Sequence, residues 1–103
     1  LNLQTQYILS TTAGLYVKWR APKSGMCRIQ VRSPHTWPSL LVLDVKTSVV
    51  GMGPAYPAGF TSLQFSAAGI CNPFYVHEGM EIWVLVNTLS GTSADIETTP
   101  SIE

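Results

Sequence analysis

Cys27, Cys71, His35 and His77 are the side chains in this 103-residue chain whose types would suit a two-Cys, two-His zinc site or a Cys–His nucleophile pair. Structural zinc modules place their cysteines in closely spaced pairs, because one tight turn must present two ligands to a tetrahedral ion. Here the spacings are Cys-x7-His and Cys-x5-His, and no zinc site is expected. A Cys–His nucleophile pair stays open on residue types alone. Cys27 alternates with Ile29 and Val31, however, which puts its thiol on an apolar face where it is inert. No Gly-x-Ser-x-Gly elbow, phosphate-binding glycine loop or His-Glu-x-x-His occurs. Glu78, Glu81, Asp95 and Glu97 lack the spacing of a calcium loop and read as solvated charges. The expectation is a non-enzyme with no metal and no cofactor. Cys27 and Cys71 are either bonded to each other or two buried free thiols.

Recognition chemistry is better represented. Ser33–Pro38 (SPHTWP) carries His35 and Trp37, and Gly51–Phe60 (GMGPAYPAGF) carries Tyr56 and Phe60. Proline-stiffened loops that present aromatic rings can anchor a protein interface or stack on a sugar. The competing reading is that Trp37, Tyr56 and Phe60 cap the ends of the fold. Tyr7, Ile8 and Leu9 close an uncharged N-terminal arm. Such an arm either pairs with a neighbouring subunit's sheet edge or forms the first strand of its own sheet.

The elements that must position these residues are strands. In Gly14–Arg20, Leu15, Val17 and Trp19 face one way and Tyr16, Lys18 and Arg20 the other. In Met26–Arg32, Cys27, Ile29 and Val31 alternate with Arg28, Gln30 and Arg32. Ala21-Pro22-Lys23-Ser24-Gly25 lies between them with turn chemistry, so the two strands are expected to pair as a hairpin. Ser39–Val45 is apolar on both faces until Asp44 and reads as a strand covered on both sides. Further strands are expected near Phe60–Ser66, Phe74–His77 and Glu81–Asn87, with Ile82, Val84 and Val86 on one face of the last. Asp95–Thr98 reads as an edge strand and Thr98–Glu103 as a frayed tail. Seven or eight short strands with Gly/Pro loops predict an all-β, single antiparallel sandwich of jelly-roll type. Its expected parts are an arm or outer strand at 1–12, the sandwich at 13–98 and a tail at 99–103.

Composition bounds the partners. Hydrophobic residues make up 46 % and charged residues 12 %, about half the usual charged share. That excludes a disordered chain. Six basic and six acidic residues argue against dedicated nucleic-acid or membrane-surface binding. The uncharged run Thr47–Val76 is broken by Gly51, Gly53, Pro54, Pro57, Gly59, Gly69 and Pro73, so it does not read as a membrane span. Leu1–Val17 has no basic segment and does not read as a signal peptide. The six basic residues all lie in 1–51 with a single acid, Asp44, and the other five acids lie in 52–103. Spatial separation of those halves would suit head-to-tail contacts closing a ring, and pairing across strands would cancel them.

Two segments carry a resemblance. Tyr16–Gly25 (YVKWRAPKSG) followed by an alternating strand resembles the opening of secreted and phage jelly rolls, bacterial pre-peptidase C-terminal domains and capsid decoration proteins. Val76–Val86 (VHEGMEIWVLV) is similar to a late strand of the complement globular-head and tumour necrosis factor class, with Met80 where that class has an aspartate. The resemblance implies a non-catalytic, commonly trimeric jelly roll. The expected role is a structural subunit that decorates or cements a larger assembly such as a phage or virus capsid shell, located on a virion or extracellular surface. The alternative is an extracellular carbohydrate-binding or adhesion module with Trp37 and Tyr56 as its glycan platform.

Overall fold

A computed structural model describes residues 1–10, 14–33, 37–90 and 94–103, with side chains at all of these except 9, 10, 94 and 95. The strands are β1 (Gln6–Ser10), β2 (Tyr16–Arg20), β3 (Gly25–Arg32), β4 (Leu40–Ser48), β5 (Leu63–Phe65), β6 (Gly69–Ile70), β7 (Phe74–Val76), β8 (Glu81–Ser90) and β9 (Ala94–Ile102). They form two antiparallel sheets. The first runs β1-β9-β3-β6, with β7 also paired to β3, and the second runs β2-β8-β4-β5. β3 and the first half of β8 bury alternate residues, because a sheet with one face on the core shows that face every second position, whereas β4 also buries Asp44 between Leu43 and Val45. Ile29, Val31, Ile96 and Ile102 of the first sheet and Leu41, Leu43, Val45, Ile82, Val84 and Val86 of the second are almost wholly buried. The result is an all-β sandwich, as the alternation predicts.

The expected hairpin does not form. β2 pairs with β8 in the second sheet, whereas β3 pairs with β9, β6 and β7 in the first. Pro22–Ser24 carries the chain over the end of the sandwich from one sheet to the other. The crossing is tied down by Ala21 N–H to the Met80 carbonyl and Gly79 N–H to the Ala21 carbonyl, both 2.8 Å. Two strands that each bury one face look alike in sequence whether they share a sheet or oppose each other.

The expected tail is also corrected. β9 continues to Ile102 and lies between β1 and β3, with Ile102 opposite Cys27 and Thr98 opposite Val31. Ile102 is fully buried, and Glu103 N–H still donates to the Met26 carbonyl at 2.9 Å. Thr98 and Thr99 are good strand formers, and Pro100 takes part in the ladder as an acceptor, its carbonyl receiving the Leu3 N–H at 2.9 Å.

Gly25 opens β3 where backbones crowd. A Cβ there would collide with the Glu103 carbonyl oxygen and press on Ile102 Cγ2 at 3.0 Å. The register between β4 and β8 slips at Val42/Leu43, where β8 carries one extra residue. Thr88 Oγ1 donates to Asn87 Oδ1 at 2.8 Å in this bulge, and Asn87 Nδ2 reaches Asp44 Oδ2 at 3.1 Å.

Candidate functional site

The residues singled out in the sequence do not gather into one platform. Tyr7 is 54 % exposed, on the outer face of the first sheet. Ile8 beside it is 3 % exposed and belongs to the core, opposite Ile96, which removes it from any interface in the folded monomer. Alternation decides this: neighbours on a strand point to opposite faces. The Leu9 side chain and His35 lie outside the described residues. Trp37 and Phe60 are half-buried and pack against the core, Phe60 meeting Phe74 edge-to-face with ring centroids 5.2 Å apart. Of the aromatic loop residues, only Tyr56 keeps substantial exposure among those described.

Tyr56 belongs to a polar cluster over the second sheet. Its hydroxyl lies 3.2 Å from Ser62 Oγ, and Ser62 donates to Asp44 Oδ1 at 2.6 Å. Lys46 Nζ sits 4.7 Å from the Tyr56 ring centroid. Asp44 is 7 % exposed. Burial alone would raise its carboxyl, but hydrogen bonds from Ser62, Asn87 and Tyr56, with the Lys46 charge, outweigh burial and hold it below its ordinary value. The cluster pins the loop between β4 and β5 against the sheet. Thr47 and Ala55 complete the fastening with two backbone hydrogen bonds of 2.9 Å. This explains why an aspartate stands in the otherwise apolar Leu40–Val45 strand.

The arm is held by its own chain on both sides. β1 pairs along its length with β9. Toward β2, the Trp19 indole donates to the Gln4 carbonyl at 2.6 Å, and Gln6 Nε2 donates to the Lys18 carbonyl at 3.0 Å. The two strands that end the sheets on this side are thereby laced together. An arm exchanged with a neighbour would first have to give up all of these bonds.

The basic and acidic halves of the sequence meet across strands. Lys18 pairs with Glu81 at 3.4 Å and Arg32 with Glu97 at 2.8 Å. Each pair joins a cation from the first half to an anion from the second, so the sequence asymmetry is partly cancelled within the subunit.

Both thiols are buried and free, Cys27 at 0 % and Cys71 at 6 % exposure. Burial pushes Cys27 up to about 12, with the nearby Cys71 adding to it. Burial also raises Cys71, although its sulfur accepts the Ile29 N–H at 3.2 Å. Thiols held protonated in this way are poor nucleophiles and poor ligands. Among the described residues, no three His, Cys, Asp or Glu side chains come together as a metal group.

The surface that sequence reasoning passed over is the end of the sandwich after β4. Val49, Val50 and Met52 are 60 %, 58 % and 69 % exposed. Val49 and Val50 line a groove of about 410 Å³ with His77, Glu78, Gly79 and Met80. The signal was present, since Ser48–Gly53 (SVVGMG) places apolar residues in a turn, where polar ones are usual. Nothing in the spacing said which way they would point. On the second sheet's outer face, Tyr16 and Trp83 stack at 4.7 Å, with Lys18 Nζ 5.1 Å from the Trp83 ring centroid.

The chain matches no family model, no curated protein and no solved structure.

Proposed function

We propose that this chain is a non-catalytic structural subunit that joins a larger protein assembly, and other copies of itself, through the apolar end of its sandwich. The observation that carries the reading is the exposed run Val49, Val50 and Met52, of which Val49 and Val50 line a groove together with Met80. Three large apolar side chains standing in water at one loop are a docking feature when a groove of the same character lies beside them. Lys23, in the crossing between β2 and β3, and Glu78 in the turn between β7 and β8 lie at this same end, joined through Ser24, whose hydroxyl accepts the Glu78 N–H at 2.9 Å. Two copies meeting here can set Lys23 of one against Glu78 of the other around an apolar centre. The low charge of the chain supports the same reading, because little repulsion opposes association. A phage or virus capsid is the context that the resemblance of Tyr16–Gly25 and Val76–Val86 implies.

The test is sedimentation equilibrium of the wild-type chain and of a Val49→Ser, Val50→Ser, Met52→Ser variant, each at low and high salt. Burying a valine or methionine contributes about 1.5–3 kcal/mol. The variant should therefore associate at least ~100-fold more weakly. Association of the wild type should persist at high salt, since apolar burial is not screened. A wild type that stays monomeric to millimolar concentration, or a variant that associates equally well, overturns the proposal.

A further inference from the structure

We propose that the outer face of the first sheet is a binding trough for an uncharged oligosaccharide. This surface is distinct from the apolar end and from the Trp37 and Tyr56 loops. Strand register sets its layout. Across the sheet, Tyr7, Glu97 and Arg32 form one row, and Thr99, Gln30 and Ile70 form the next. Thr5 joins the second row through a 2.7 Å hydroxyl contact with Thr99. Two depressions lie along these rows. One, of about 180 Å³, is lined by Gln30, Arg32, Glu97 and Thr99. The other, of about 360 Å³, is lined by Gln30, Ala68, Gly69 and Ile70. Gln30 is common to both, so together they make one trough crossing β9, β3 and β6.

The lining chemistry narrows the occupant. Gln30 is exposed and offers an amide donor and an amide acceptor to the trough. Arg32 engages Glu97 Oε2 through Nε, and its terminal nitrogens are further donors. That same 2.8 Å pair cancels the charge at the polar end, so the trough is rich in hydrogen-bonding groups and carries no net charge. A polyanion would find no positive field here. A peptide adding itself as a strand needs a sheet edge. The trough instead runs across β9 and β3, which have partners on both sides, and reaches an edge only at β6, whose two residues offer too short a strand to template a peptide. Ligand recognition must therefore come from side chains. Ile70 is 58 % exposed in the trough, and Tyr7 at one side and Tyr75 beyond Met26 are each more than half exposed. Apolar faces alternating with planar hydrogen-bonding groups suit a molecule that is itself apolar on its ring faces and hydroxylated on its rim. Beyond the trough lie Arg28 of β3 and Glu103, just after β9, one of each sign.

The experiment is a backbone-amide NMR titration of the full chain with cellohexaose, xylohexaose, mannohexaose and chitohexaose, alongside a heparin hexasaccharide. The expected result is that one neutral sugar shifts the amides of Gln30, Arg32, Ile70 and Thr99. Gln30→Ala should then weaken that sugar's binding by about tenfold, the loss of one amide's hydrogen bonds. Gln30 is exposed, and an otherwise unchanged spectrum of the variant shows that it still folds. No shift with any neutral sugar at millimolar concentration overturns the proposal. So does tighter binding of the heparin fragment, shifts centred on Trp37 and Tyr56, or a Gln30→Ala variant that binds as well as wild type. None of these outcomes depends on whether the apolar end associates.

Discussion

Ile102→Ala tests the reading of β9 most directly. Ile102 has no exposed surface, sits opposite Cys27 across the β9–β3 ladder and lies close to Gly25. The substitution removes three carbons, each worth about 0.8 kcal/mol in transfer alone. A void in a core that relaxes only partly adds about 1 kcal/mol more. The expected loss is therefore about 3 kcal/mol, a large part of what a domain of this size has. In the melting temperature it corresponds to roughly 15 °C. Urea denaturation followed by tryptophan fluorescence reads it, since Trp19 and Trp83 lie on strands of the opposite sheet. Glu103→Ala, one residue further along and exposed, is the control and should stay within about 0.5 kcal/mol. An Ile102→Ala midpoint indistinguishable from wild type would mean that the segment is a tail after all, and that β1 and β3 must find other partners.

Three other outcomes are expected. Gly25→Ala should destabilise by about 1–3 kcal/mol in the same assay, because the new Cβ meets the Glu103 backbone and not a side chain that can swing away. Asp44 titrates lower in the fold than in the unfolded chain. Its contribution is thus complete above the ordinary value of 3.8 and is lost as pH falls through the folded value. Carbon-13 titration should find that carboxyl below its ordinary range and find it raised in Ser62→Ala, and an Asp44 at or above the ordinary value in wild type refutes the cluster. Neither thiol should react with Ellman's reagent at neutral pH until urea unfolds the chain, and prompt reaction of Cys27 in the native state would contradict its burial.

The period-two pattern carried most of the architecture. Cys27, Ile29 and Val31, and Ile82, Val84 and Val86, are buried as alternation requires. Alternation reports one buried face and is silent about the partner strand, which is why Tyr16–Arg20 and Gly25–Arg32 looked like a hairpin and are not one. The C-terminal segment reads as a tail because Thr98, Thr99, Pro100 and Ser101 have the composition of a loop. What makes them a strand is the pair of neighbours, β1 and β3, supplied from far along the chain. The aromatic loops show the same limit: a tryptophan before a proline says nothing about whether its ring faces solvent or core. The trough was still less legible, since Gln30, Arg32, Glu97, Thr99 and Ile70 come together only through register.

The position of β9 also governs how this chain must come into being. The strand at the heart of the first sheet is the last to be synthesised, and β1 has no sheet partner before it arrives. Until then Ile8, Ile29 and Val31 have no complete sheet to bury them, and the growing chain must wait in a collapsed, unpaired state that favours clumping. Ladders joining such distant parts of a sequence close slowly. A nascent polypeptide stalled before Ala94 should therefore be a client for holding chaperones, whereas one extended past Ile102 should not.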